Sequence, residues 1–289
     1  MDTTVTAFNI DALRAWVGRS EKRSDLITAA PLAGLAATLD RTSDAAPVAG
    51  SVLPPLAHWL YFLPVAMQSE IGPDGHPKRG GFLPPVPLPR RMWAGGRFEF
   101  KHPLKVGDEA VRTSTIQQVD AKEGKSGRLV FVTVRHEVET TRGLALSEEH
   151  DIVYRDNPQP NAVLPTPPVA PTDETFSRLI EPDPVLLFRY SALTFNGHRI
   201  HYDRGYVTEV EGYPGLIVHG PLIATLLLDL LRRQMPQAQV RSFNFKAASP
   251  LFDISPFTVC GKQNPDASIA LWARNHHGHL AMQAHAELA

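Results

Sequence analysis

Residues 190–231 read YSALTFNGHRIHYDRGYVTEVEGYPGLIVHGPLIATLLLDLL. The second part of this stretch is a helix signal. Pro221 sits where a first-turn residue has no use for its N–H. Leu222, Ile223, Leu226, Leu227 and Leu230 then recur at helical spacing, with apolar residues nearly all round. Such a helix is buried on most faces, and an antiparallel sheet wrapped around it is the natural packing. Ahead of it stands a polar cluster, Asn196-Gly197-His198-Arg199-Ile200-His201-Tyr202-Asp203. Its residue types are those of a base (His201) and a water-positioning amide (Asn196). Gly220, at the helix start after His219, adds unpaired N–H groups that favour negative charge. These are parts for adding or removing water at an activated double bond.

Strand signals surround this stretch and occur twice. Phe98-Glu99-Phe100-Lys101-His102-Pro103-Leu104 parallels Phe243-Asn244-Phe245-Lys246-Ala247-Ala248-Ser249-Pro250-Leu251, each an alternating strand that ends in a proline kink. Strands are predicted next over 109–119 and 256–261, then over 128–140 and 144–154 against 268–274 and 280–287. Matching elements in matching order argue for duplication of one unit. The expected organisation is a degenerate first half (1–156), a Pro-rich linker (157–172) and a catalytic second half (173–289). In the first half, either Pro31 to Leu39 or Leu56 to Met67 is expected to serve as the central helix. Residues 72–81 (GPDGHPKRGG) are expected to form a long, ordered surface excursion. Asp203 is read as a helix N-cap for the segment that begins at Arg204.

Composition narrows the function classes. The 289 residues are 43% hydrophobic and 20% charged, enough to bury a core. A formal charge of -1 with no basic run argues against nucleic acid. No apolar stretch approaches the roughly 20 residues that span a bilayer, and no secretory signal is visible, so no membrane role and a cytoplasmic location are expected. Cys260 stands alone, which fits a reducing compartment. No Cys/His spacing suggests zinc, and His276-His277-Gly278-His279 reads as a turn between strands, so no metal is expected.

The ordered motifs resemble the MaoC-like (R)-specific hydratase and dehydratase family in its double hot-dog form. That family's Asp-x4-His-x-Asp spacing is kept as Asn196, His201 and Asp203, its Val-His-Gly helix opening as Val218-His219-Gly220, and its Ser-Phe-x-Phe-Lys strand as 242–246. The likeness covers about residues 180–289 well, and the first half through its 98–108 segment. One departure matters: the family's catalytic Asp is Asn196, which cannot accept a proton at neutral pH. The wording of 192–203, with Leu88-Pro89-Arg90-Arg91-Met92-Trp93-Ala94-Gly95-Gly96, is similar to one branch. That branch holds the mesaconyl-C4-CoA and itaconyl-CoA hydratases and the 3-hydroxyacyl-thioester dehydratases.

The resemblance implies an α+β double hot-dog, two antiparallel sheets each wrapped around a central helix. It further implies a hydro-lyase that hydrates a short branched dicarboxyl enoyl-CoA. A 3-hydroxyacyl-thioester dehydratase and a non-catalytic acyl-CoA-binding protein are the alternatives. His201 is the expected base, Asn196 orients the water through its amide oxygen, and the Gly220 N–H forms the oxyanion hole. His219, Arg199, His198, Tyr190, Arg91 and Trp93 are the candidate substrate-binding residues. A substrate carboxylate would call for Arg199, Arg90 or Arg91. No cofactor is expected, coenzyme A being part of the substrate. The two halves are expected to pair as an intrachain pseudo-dimer, and a homodimer is open.

Overall fold

The computed structural model describes residues 9–44, 46–124, 127–157 and 166–289. Half of the Pro-rich stretch at 157–172, namely 158–165, therefore lies outside the described residues. The strands are β1 (Ser20–Leu26), β2 (Arg90–Phe100), β3 (Glu109–Gly124), β4 (Gly127–Thr140), β5 (Gly143–Arg155), β6 (Phe176–Ile180), β7 (Val240–Ala247), β8 (Phe257–Gln263), β9 (Ile269–Asn275) and β10 (Leu280–Leu288). The helices are α1 (Ile10–Arg14), α2 (Ala29–Thr38), α3 (Pro184–Leu193) and α4 (Gly220–Gln234). The order β1-β3-β4-β5-β2-β7-β10-β9-β8-β6 makes one ten-stranded antiparallel sheet. It is the same five-strand order twice, head to head, so the two expected sheets are continuous.

The join is β2 against β7, where Phe98 faces Phe243 directly. These are the same position in the two copies of the repeat. The local two-fold therefore passes through this pair, and both rings are buried. Gly95 permits the join: a Cβ there would stand 2.6 Å from the Phe245 carbonyl oxygen. β1 and β6 escape the period-2 reading because they lie at the two ends of the sheet and are short; β1 reads SEKRSDL.

α4 is the buried central helix of the second half, with every residue from Leu222 to Leu231 buried. One of them is Asp229, a carboxylate that would be costly there alone. Arg233, Arg178 and Arg41 hold it at 2.7, 3.0 and 3.2 Å, tying α4 to β6 and to the end of α2.

The first half has no counterpart of α4. Residues 29–38 are helical, but α2 follows β1 as α3 follows β6, and it packs on α3. Between Leu56 and Met67 only one 3-10 turn forms, Ala57–Leu60, since prolines at 54, 55 and 64 bracket it. Its side chains fill the space a helix would occupy. Trp59 packs edge-on to Trp93 and Phe98, and the His58 Nε2–H and Trp59 Nε1–H both donate to Glu148, at 2.9 and 3.2 Å. Burial pushes the Glu148 carboxyl up, but the bond and charge of His58 outweigh it and keep the group ionised.

Because both halves share the Phe98–Phe243 contact, they unfold together. Phe243→Ala is expected to cost about 3–5 kcal/mol. Urea denaturation followed by circular dichroism and by tryptophan fluorescence should then give one coincident transition at a lower midpoint.

Candidate active site

The segment from Asn196 to Val218 loops back on itself just ahead of α4. The Ile217 N–H donates to the Ile200 carbonyl at 3.0 Å, and the Val218 N–H to the Leu251 carbonyl at 2.9 Å. This holds His201 in the interior, with 7% of its surface exposed. Its Nδ1–H donates to the Ile217 carbonyl at 2.7 Å. A carbonyl only accepts, so this bond fixes the tautomer and leaves the Nε2 lone pair free. Burial drives the imidazole down to about 4, against that hydrogen bond. His201 is therefore a neutral imidazole at neutral pH, with Nε2 open to accept.

Its ring stacks on His219, the N-cap residue of α4, with centroids 3.7 Å apart. The His219 Nε2 pairs with the Ser191 hydroxyl at 2.8 Å, and burial holds this imidazole well below its ordinary value. Tyr190 stands edge-on to His219, with its hydroxyl 3.4 Å from Thr225 Oγ1. At Gly220 a Cβ would meet no atom within 4 Å, so there is open space in front of the first turn of α4. The N–H groups of that turn have no partner within the helix.

The expected surface excursion is instead packed over this cluster. Gly75 (φ +88°) touches Gly197 backbone to backbone, and a Cβ at 75 would fall 1.8 Å from the Gly197 oxygen. The Arg199 N–H donates to the Asp74 carbonyl at 2.9 Å, and Arg199 Nη1 to the Pro73 carbonyl at 3.0 Å. The loop thereby brings Asp74 and His76 to the site, two residues that sequence reasoning missed. The His76 Nδ1–H donates to Asp74 Oδ2 at 3.1 Å, and its ring lies on His198 at 4.0 Å. His198 in turn meets His201 edge-on at 5.5 Å. Glycines flanking an Asp-Gly-His triplet were the one signal, and period and spacing cannot say where such a loop docks. Among the described residues, Asp74, His76 and His198 are also a set able to hold a metal ion, their ligand atoms lying within 4.8 Å of one another.

The remaining expected residues sort by what they already hold. The Asn196 Oδ1 accepts from the His198 N–H at 3.0 Å, an Asx turn that occupies the oxygen expected to orient water. Arg199 is bound to Asp203 at 2.7 Å and lies over Tyr206, so its charge is already paired. Asp203 also accepts from the Tyr206 N–H at 3.0 Å, as a cap does. Arg90 is engaged with Tyr213, the Glu211 carbonyl and Asn157. Arg91 has no carboxylate within ion-pair distance among the described residues. Its charge acts on Tyr154, His76 and His198. Trp93 belongs to the first half's aromatic cluster, 3.8 Å from His150.

A neutral buried imidazole beside a helix N-terminus, on a sheet of two joined hot-dog units, is the equipment of the MaoC-like acyl-thioester hydratases and dehydratases. Comparison with known proteins agrees. The profile of the hydroxyacyl-thioester dehydratase type 2 family matches residues 56–253, and the chain belongs to that family. It is 50% identical over 277 residues to mesaconyl-C(4)-CoA hydratase of Chloroflexus aurantiacus, covering 95% of this chain and 97% of that protein. Its fold matches a MaoC-like dehydratase from Phytophthora capsici (TM-score 0.70, 14% identity, 98% and 99% of the two chains). It also matches a Mycobacterium tuberculosis protein described as a double hotdog fold (TM-score 0.58, 12% identity, 94% and 96% covered).

Burial also sets a pH limit. His76, His136, His150, His198, His201 and His219 are all held below the ordinary 6.5, with His150 and His201 at about 4. Between those values the unfolded chain binds protons that the folded chain excludes, so stability falls as pH drops through this window. The melting temperature should be level above pH 7 and decline steadily from pH 6.5 towards 4; a flat profile would mean that these rings are not buried in neutral form.

Proposed function

We propose that this chain is an acyl-CoA hydratase that adds water to mesaconyl-C4-CoA to give citramalyl-CoA. The observation that carries this reading is the 50% identity to the Chloroflexus hydratase across nearly the full length of both chains. The site supports it. His201 Nε2 takes a proton from water as the oxygen bonds to the β-carbon. The double-bond electrons move towards the thioester, whose oxygen becomes negative beside the Gly220 N–H and the positive end of α4. The proton on His201 then passes to the α-carbon, and the base is restored. The net change is H and OH across the double bond.

In this substrate the β-carbon itself carries the free carboxylate. The group that receives the carboxylate must therefore sit close to the reacting centre. Arg91 fits, being the candidate guanidinium that acts on His76 and His198 and has no carboxylate of its own among the described residues. Dehydration of a 3-hydroxyacyl thioester is the second reading, favoured by the family match. It is the same chemistry reversed on an acyl chain without the carboxylate.

Purified protein should remove the enoyl-thioester absorbance of mesaconyl-C4-CoA. His201→Gln should lower kcat by about 100-fold to 10,000-fold, the usual contribution of a general base. Arg91→Gln should raise KM for mesaconyl-C4-CoA about 10-fold to 100-fold, the worth of a charge-assisted bond. Its effect on an uncharged enoyl-CoA should be small; equal losses on both substrates would remove Arg91 from the carboxylate role.

A further inference from the structure

We propose that the Asp74–His76 pair, delivered by the first half's loop, holds the attacking water in place of the carboxylate that position 196 lacks. This rests on the hydration reading above. His201 by itself fixes one hydrogen of a water molecule, which leaves the molecule free to turn about that bond. In the family pattern a carboxylate at position 196 would supply the second contact. Here the residue is Asn196, and its acceptor oxygen is engaged by the His198 N–H at 3.0 Å.

The loop supplies another acceptor. Asp74 receives both the His76 N–H, at 3.0 Å, and the His76 Nδ1–H, at 3.1 Å. A carboxylate donates nothing, so the proton of neutral His76 is on Nδ1, and Nε2 presents a lone pair. Among the described residues no hydrogen bond takes up that lone pair. Burial keeps the ring from charging, against the pull of Asp74. The ring is stacked on His198 at 4.0 Å, and His198 abuts His201 at 5.5 Å. His76 and His201 therefore flank the same ring, that of His198. The pair does not sway, because the loop is clamped through Gly75 on Gly197 and through Arg199 on Pro73 and Asp74.

In the reaction one hydrogen of the water leaves for His201 Nε2. The other stays on the oxygen, donated to His76 Nε2, and the oxygen lone pair is thereby aimed at the β-carbon. His76 neither gains nor loses a proton. It is a positioning residue, and Asp74 fixes its tautomer.

The test uses the full chain with mesaconyl-C4-CoA and four variants. His76→Phe keeps the stacked ring and removes the acceptor, and misplacing a reacting group by about 1 Å costs about 100-fold. Its kcat should therefore fall about 100-fold with KM little changed. His76→Gln, whose amide oxygen can accept, should retain much more activity. Asp74→Asn should fall between them, since the charge that fixes the tautomer is lost. Adding Asn196→Asp to His76→Phe should recover part of the loss, which a purely structural role for His76 would not allow. A His76→Phe kcat within about threefold of wild type, or a loss borne by KM alone, overturns the proposal. So does loss of wild-type turnover on treatment with EDTA, which would make Asp74, His76 and His198 metal ligands. If wild-type protein hydrates no enoyl thioester at all, the hydratase reading fails first and this one with it.

Discussion

The antiparallel pairing of β2 with β7 is the constraint on which the molecule turns. It converts two five-stranded units into one ten-stranded sheet and sets equivalent phenylalanines, Phe98 and Phe243, opposite each other across the join. It also decides what the first half can bring to the second. The loop before β2 emerges beside the second half, and from there Asp74 and His76 reach the cluster around His201. A hot-dog unit of the second half by itself would carry His201 and the helix N-terminus without that cover.

The two copies have diverged in what they place against the sheet. The second half keeps a wholly apolar helix face and tolerates one carboxylate, Asp229, because three arginines surround it. The first half has given up the helix for a proline-rich chain whose Trp59 and His58 plug the gap over Glu148, His136 and His150. Helix and plug do the same packing work. The plug, however, frees a long segment from regular structure, and that segment packs over the His198–His201 cluster.

The histidines share a common logic. Desolvation is the largest influence on each of those near the site, and it favours the neutral form. Neutral imidazoles have one donor and one acceptor nitrogen, so each can be aimed by engaging the donor. The Ile217 carbonyl does this for His201 and Asp74 does it for His76. Two directed lone pairs are obtained from the same kind of side chain without burying a net charge. An aspartate at position 196 would have to be kept ionised in this enclosed cluster, which is the desolvation cost that Asn196 avoids.

The sequence by itself determined the elements whose signals are local and periodic. These are the apolar helix opened by Gly220-Pro221, the alternating strands, the duplication through Phe98 and Phe243, and the order of His201, His219 and Gly220 around that helix opening. Each follows from spacing along the chain, because side chains on one face recur at fixed intervals. Only the tertiary structure decided which partners those residues meet. Residues 72–81 show neither period, and nothing local says that Gly75 rests on Gly197 some 120 residues away. Arg90, Arg91 and Arg199 are likewise indistinguishable in sequence. They separate once Glu211 and Asp203 are seen to hold two of them, and one lone pair of the Asn196 oxygen is taken by a turn in the same way. A charge or a lone pair is available only if no neighbour has claimed it, and neighbours are set by the fold.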